Sequence, residues 1–216
     1  MKRPHLACFL LLLVASHLAP VSARDAPADE DQPKAPLTPL AIGNVWVYEN
    51  ADDGVTVTET IAGVVYFDDQ PWYLVRSAER PSDGADDAQP AFVWESWLAH
   101  VDGADTLALT ELDPDTGTLR LSEPSADFRY PVAKGDTYRP VEKDASRTVH
   151  VVGVDVPIKT KAGDFKCIAY REDHADEADV TITTYLAPGV GVVRIATEID
   201  GEVSHADLIK FTRAQR

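Results

Sequence analysis

Val55-Thr56-Val57-Thr58-Glu59-Thr60-Ile61 sets two valines and an isoleucine against intervening threonines, the two-residue period of a strand with one buried face. The pattern recurs along the chain. Val152, Val154, Val156 and Ile158 should share a face, and Val180, Ile182 and Leu186 should oppose Thr181, Thr183 and Tyr185. From Ala41 onward short runs rich in Val, Thr, Ile, Tyr and Trp alternate with Gly, Asp and Pro clusters, as strands and turns do. Asn50-Ala51-Asp52-Asp53-Gly54, Asp68-Asp69-Gln70-Pro71, Asp113-Pro114-Asp115-Thr116-Gly117 and Asp200-Gly201 combine turn-capping side chains with residues that tolerate positive φ. No window of a dozen residues keeps apolar positions at helical spacing without Gly or Pro, so parallel βαβ units are not expected. The reading is an all-β fold, an antiparallel meander forming a strongly curved sheet or half-open β-barrel. Two acidic stretches, Glu79 to Pro90 and Arg171 to Asp179, should be exposed loops.

The first residues read differently. Lys2 and Arg3 precede an apolar run from Leu6 to Val14 that is too short for a mature membrane span, and Val21-Ser22-Ala23 places small residues where a signal peptidase reads. Residues 1–23 are therefore expected to be a signal peptide cleaved after Ala23, which makes the mature protein secreted or periplasmic. Cys8 precedes the leucine run and His5 stands where a lipobox wants an aliphatic residue, so a lipid anchor is not expected. Residues 24–39, acidic and holding Pro27, Pro33, Pro36 and Pro39, should be a disordered linker. Residues 40–216 should be a single β domain, with no membrane span once the signal is removed.

Composition narrows the partners. The 216 residues include 20 Lys and Arg against 36 Asp and Glu, a net charge of −16. Without Lys2 and Arg3 the mature chain has 18 bases and the same 36 acids, a net charge of −18, which repels nucleic acid and anionic lipid surfaces. Cys8 leaves with the signal, so Cys167 has no partner for an internal disulfide. It lies in an alternating segment where Phe165, Cys167 and Ala169 share a face, the setting of a buried, inert thiol.

Catalytic and cofactor motifs are missing. There is no Gly-x-Ser-x-Gly elbow, His-Glu-x-x-His helix, Walker loop or Cys-x-x-Cys pair. Gly189-Val190-Gly191 starts like a dinucleotide fingerprint, but Arg194 stands at the third glycine position and a strand should follow. Asp113, Asp115 and Glu123 miss the EF-hand register, with Gly117 at the fifth and Glu123 at the eleventh loop position. His100, His150, His174 and His205 stand singly. His174 with Asp173, Asp176, Glu177 and Asp179 is the densest metal-like group, and a solvated charge run explains it more simply. No catalytic residue, metal ligand or cofactor is assigned.

The aromatic residues are the candidate site. Trp46 with Tyr48, Trp72, and Phe92 with Trp94 come on successive strands, largely at i, i+2 spacing. On a curved sheet they could pack a core or line an apolar cleft.

Two segments carry a resemblance. Pro39-Leu40-Ala41-Ile42-Gly43-Asn44-Val45-Trp46-Val47-Tyr48 resembles the "PLxxGNxWxY" opening of uncharacterised bacterial exported proteins. Ala162-Gly163-Asp164-Phe165-Lys166-Cys167 and Tyr185-Leu186-Ala187-Pro188-Gly189-Val190-Gly191-Val192-Val193-Arg194 resemble their "AGxFxC" and "YxAPGVGxVR" elements. Those proteins are similar to the half-closed antiparallel barrels of periplasmic lipoprotein carriers. The resemblance implies such a barrel and brings no catalytic residues. Many of those proteins carry a lipobox, and this chain departs from them there. Physically, Gly43-Asn44 should turn the chain into the first strand with Trp46 in the core, and Ala187-Pro188-Gly189 should be the turn before the penultimate strand. The functional expectation is a non-enzymatic envelope protein that binds a lipid, another apolar small molecule or an envelope protein on its curved sheet. The alternative is a metal-dependent or hydrolytic enzyme built from acidic loops and scattered histidines.

Overall fold

The computed structural model describes residues 36–215 apart from 51, 53, 68, 83–91, 113–118 and 176–178. The signal peptide, most of the linker and the Asp113 to Gly117 turn lie outside the described residues, as do parts of both acidic stretches.

Alternating apolar runs separated by turns give a chain of strands, and none of the described residues is in a helix. In chain order these are β1 (Val45–Asn50), β2 (Val55–Phe67), β3 (Gln70–Pro81), β4 (Phe92–Val101), β5 (Ala104–Ala108), β6 (Thr110–Leu112), β7 (Leu119–Leu121), β8 (Ser125–Arg129), β9 (Thr137–Tyr138), β10 (Arg147–Thr160), β11 (Gly163–His174), β12 (Val180–Ala187), β13 (Gly191–Ile199) and β14 (Glu202–Thr212). β6 and β7 form a separate pair, and the other twelve strands form one sheet in the order β8-β5-β4-β3-β2-β1-β14-β13-β12-β11-β10-β9. Every pairing is antiparallel. This is the expected curved, unclosed antiparallel sheet. Consecutive strands are neighbours almost throughout, and the pairing of β1 with β14 joins the two halves.

Turn chemistry fixes the hairpins. Asp200 and Gly201 adopt φ of 53° and 78° between paired Ile199 and Glu202, the double positive-φ geometry whose twist suits a two-residue hairpin. Gly43 has φ 91°, and buried Asn44 donates from Nδ2 to Pro39 O (2.6 Å) while its Oδ1 accepts from Ala214 N (2.8 Å). One amide thus pins both chain ends of the sheet beside Trp46.

The two edge strands meet through one backbone hydrogen bond and several side chains. Ala126 N, on β8, donates to Pro140 O beyond β9 (2.9 Å). Tyr138 on β9 donates to Asp127 O (2.7 Å) and accepts from Arg129 N (3.2 Å), while Tyr170 on β11 donates to Arg129 O (2.7 Å). Edge-strand groups that a ladder would satisfy are met by phenol hydroxyls instead. Arg147 adds charge, contacting Asp127 Oδ1 (3.1 Å) and Glu172 Oε2 (2.8 Å).

Three apolar clusters follow. The largest gathers Trp46, Tyr48, Ile61, Val75, Ile158, Cys167, Ala187, Val193 and Leu208. A second collects Leu37, Val132, Val149, Val151, Ile168, Tyr170 and Leu186. The third is Trp72, Ala99 and Ala108. β11 supplies both of the first two clusters, Cys167 to one and Ile168 and Tyr170 to the other, because its sheet is covered on both faces there.

Several expectations are corrected. Glu79 to Pro81 belong to β3 and Arg171 to His174 to β11, not to loops. In the second stretch the charges are paired within the sheet: Glu172 with Arg147, His174 with Glu172 (2.6 Å), and Asp173 with His150 (3.1 Å). Val152, Val154, Val156 and Ile158 do not share a face. β10 shifts register against β11 around Gly153 and again before Val156, with Asp155 at φ 56°. A bulge re-aims every residue beyond it. Val154 therefore packs on the second cluster and Val156 and Ile158 on the first, while Val152 is exposed. Leu37 and Thr38, ahead of Leu40, also make contacts with the sheet. Leu37 is fully buried, its carbonyl accepts from Gly189 N (2.9 Å), and Thr38 N donates to Asp105 Oδ2 (3.0 Å).

Candidate functional site

Register decides which aromatic residues meet, because directly opposed residues on antiparallel neighbours share a face. Trp46 opposes Glu59, Glu59 opposes Ser77, and Ser77 opposes Trp94. The adjacent row runs from Tyr48 to Val57, Glu79 and Phe92. Four of the five candidate residues thus lie on one face of β1 to β4. Trp72 does not join them. It alternates out of phase with Val75 and Ser77 and packs in the third cluster with Ala99 and Ala108.

Exposure is graded along the face. Trp46 and Tyr48 are buried: the indole Nε1 donates to Val190 O (2.7 Å), the phenol to Val192 O (3.2 Å), and Trp46 stacks on Phe211 at 5.1 Å. At the β4 end Trp94 is half-buried and Phe92 is 60% exposed, the two rings stacked at 5.5 Å and 29°. An exposed ring already stacked on its neighbour, as Phe92 is, offers apolar area at little entropic cost.

Between these ends stands Glu59. Burial pushes its carboxyl up to about 7, against the smaller opposing effect of the hydrogen bond donated by Ser77 Oγ (3.4 Å). Tyr48 is likewise held protonated, first by burial and then by the nearby Glu59 charge. A carboxyl whose pKa is raised by folding binds its proton more tightly in the folded state, so stability falls as pH rises from the ordinary carboxylate range to about 7. Glu59→Gln is expected to raise stability by on the order of 1 to 2 kcal/mol near pH 8 and to leave it nearly unchanged near pH 5. Denaturant titrations of both proteins at the two pH values check this, and an equal effect at both would contradict it.

Glu59, Ser77 and Glu79 were not among the residues singled out from sequence. The signal was present, since Glu59 occupies the apolar phase of the Val55 to Ile61 alternation. Only the cross-strand register shows that it stands between Trp46 and Ser77, in a row that ends at Trp94.

The scattered polar residues go elsewhere. His100 Nδ1 bonds Asp105 Oδ1 (2.8 Å), His150 pairs with Asp173 and His174 with Glu172. Among the described residues no three His, Cys, Asp or Glu side chains are grouped to hold a metal ion. Cys167 is buried, and burial pushes its thiol up to about 12, partly opposed by Arg194. A charged thiol reagent is therefore expected to leave Cys167 unmodified in the native protein and to label it after denaturation. Rapid native labelling would show a reactive site.

No protein-family model matches the sequence, and no curated protein matches it. Two solved structures are similar. One, a Parabacteroides distasonis protein described provisionally as a lipoprotein, is 12% identical with a TM-score of 0.52, over 84% of this chain and 100% of that one. The other, a Bacteroides fragilis protein described provisionally as exported and YmcC-like in fold, is 14% identical with a TM-score of 0.51, over 82% of this chain and 98% of that one. At these identities the likeness establishes architecture, and this chain has the fold described for the Bacteroides structure as YmcC-like.

Proposed function

We propose that this is an exported, non-enzymatic envelope protein that binds an apolar small molecule on the face formed by β1 to β4. The observation that carries the binding reading is the stacked Phe92–Trp94 pair, Phe92 60% exposed and Trp94 half-buried, on the same face as buried Trp46 and Tyr48. Export is supported by the Lys2-Arg3, Leu6 to Val14 and Val21-Ser22-Ala23 pattern and by the descriptions of the two similar structures as a lipoprotein and an exported protein. Kinship with exported proteins bearing the PLxxGNxWxY and YxAPGVGxVR elements belongs to the same reading.

An uncharged fluorescent apolar probe, N-phenyl-1-naphthylamine, tests the binding. The protein is expected to enhance its emission saturably, and Phe92→Ala with Trp94→Ala is expected to weaken binding about tenfold, the loss of one to two ring contacts. No saturable enhancement, or full binding by the double variant, would sink the reading. For export, the intact mass of protein recovered outside the cytoplasm should begin at Arg24. A species retaining Cys8 with attached lipid would overturn the cleavage site.

A further inference from the structure

β2 carries an open edge. β1 pairs with it from Val55 to Thr60, and the ladder ends at Ile61, whose N–H donates to Asn44 O (3.0 Å) and whose carbonyl accepts from Gly43 N (2.9 Å). There the chain leaves the strand. Asn44 N donates to Ala41 O (3.0 Å) across a turn with Gly43 at its third position and φ 91°, the positive φ a type II turn requires, and Leu40 packs inward on the first cluster. Among the described residues Gly63 to Phe67 therefore pair with β3 alone. Tyr66 opposes Pro71, which has no N–H, so that pair is not hydrogen-bonded across β2 and β3. The N–H and C=O of Tyr66, and of Val64 two residues before it, turn to the open side.

Exposed apolar side chains gather at this edge: Ile42 in the turn (53%), Val65 (36%), Tyr66 (70%) and Phe67 (46%). Proteins blunt open edges with charges, prolines or bulges, and this chain does so elsewhere. Beyond its short contact with β9, β10 carries bulges, Asp155 at φ 56° and Pro157, and the β8 edge is capped by the Tyr138 and Tyr170 hydroxyls. Gly63-Val64-Val65-Tyr66-Phe67 follows a bulge but has neither charge nor proline. We propose that two copies of this chain pair through this edge, β2 against β2 across a two-fold axis, which sets their β2–β3 hairpins side by side in one antiparallel sheet. The strand is self-complementary in that arrangement. With Val65 on the axis, Val64 and Tyr66 of one copy hydrogen-bond Tyr66 and Val64 of the other, and Phe67 covers Gly63. A β-branched residue opposite an aromatic one, and a ring over a strand glycine, are favourable cross-strand pairs, and no charge is buried between them.

Sedimentation equilibrium of the mature full-length protein tests this. A reversible dimer is expected with a dissociation constant on the order of 10 μM, the scale of a small interface, and it should tighten as salt screens the net negative charge of each copy. Val65→Asp and Val65→Lys each set like charges face to face at the axis and should weaken the dimer about tenfold or more. An equimolar mixture of the two variants should restore it, because opposite charges then meet. Val64→Pro removes an N–H on the open side only, so it should weaken the dimer similarly while the far-ultraviolet circular dichroism stays that of the parent. The three substitutions keep the test open if one fails to fold. A protein that stays monomeric up to about 500 μM, fifty times the expected constant, would overturn the proposal. So would a dimer indifferent to all three substitutions, a mixture of the Val65 variants no tighter than either alone, or a monomer whose β2 edge takes a strand from a different protein.

Discussion

Arg147→Leu should cost about 3 to 5 kcal/mol, the range for removing one partner of a buried ion pair. Arg147 joins three groups at the meeting of the sheet's edges: Glu172 through Nε and Nη2 (2.9 and 2.8 Å), Asp127 through Nη2 (3.1 Å) and Ser125 through Nη1 (3.3 Å). Burial alone would lower the guanidinium's pKa. The hydrogen bonds to Glu172 and the Asp127 charge outweigh it, so Arg147 stays firmly protonated. Asp127 is more exposed to loss. Burial pushes its carboxyl up to about 6 even with Arg147 and the Ser125 hydroxyl (2.5 Å) opposing, so without Arg147 it would be an uncompensated buried charge. Asp127→Asn in the Arg147→Leu background should recover much of the loss, because the orphaned charge is gone, and a double-mutant cycle measures that coupling. A loss under about 1 kcal/mol would mean the pair is effectively solvated and does not hold the edges together. For Asp127 the pH sign matches that of Glu59: its raised pKa makes stability fall as pH rises toward about 6.

Leu37→Ala should cost about 3 kcal/mol, within the range for buried Leu truncations. Leu37 is fully buried among Val132, Val149, Val151, Ile168, Tyr170 and Leu186, side chains supplied by β10, β11, β12 and the segment after β8. The backbone around it is fixed as well, by Gly189 N on its carbonyl and by the Thr38 N to Asp105 bond. Gly191, with φ 93°, lies against Thr38, and a Cβ there would come within 3.2 Å of its methyl. A pocket closed by four elements cannot collapse onto an alanine, so the cavity should persist. Chemical denaturation of a chain with Leu37→Ala measures the loss. An effect under about 0.5 kcal/mol, the scale of surface substitutions, would show that this segment is not integral to the core.

Local chemistry made the strands legible. Val-Thr alternation over Val55 to Ile61 appears as β2, Asp200-Gly201 as a two-residue hairpin, and Gly43-Asn44 as the entry to a strand that buries Trp46. Such features depend on residues a few positions apart, so their physics is contained in the sequence itself. The antiparallel curved sheet follows, since strands joined by short turns pair with their neighbours.

Other features depend on which distant residues are brought together. A bulge at Gly153 to Val156 redirected four valine and isoleucine side chains whose spacing implied one face. Charges at Arg171 to His174 looked like a solvated loop until Arg147 and His150, across the β10–β11 ladder, paired with them. Leu37 looked like part of a proline-rich tether, because its pocket is assembled by strands more than a hundred residues later. Trp72 belongs with the other aromatic residues by its sequence spacing, yet strand phase sends it to the opposite face. By itself the sequence determined the strands, the turns and the aromatic inventory of this protein, all products of short-range periodicity and backbone preference. Tertiary structure alone decided that Trp46, Tyr48, Phe92 and Trp94 share a face with Glu59 and Glu79, because cross-strand register depends on pairings that no single strand contains.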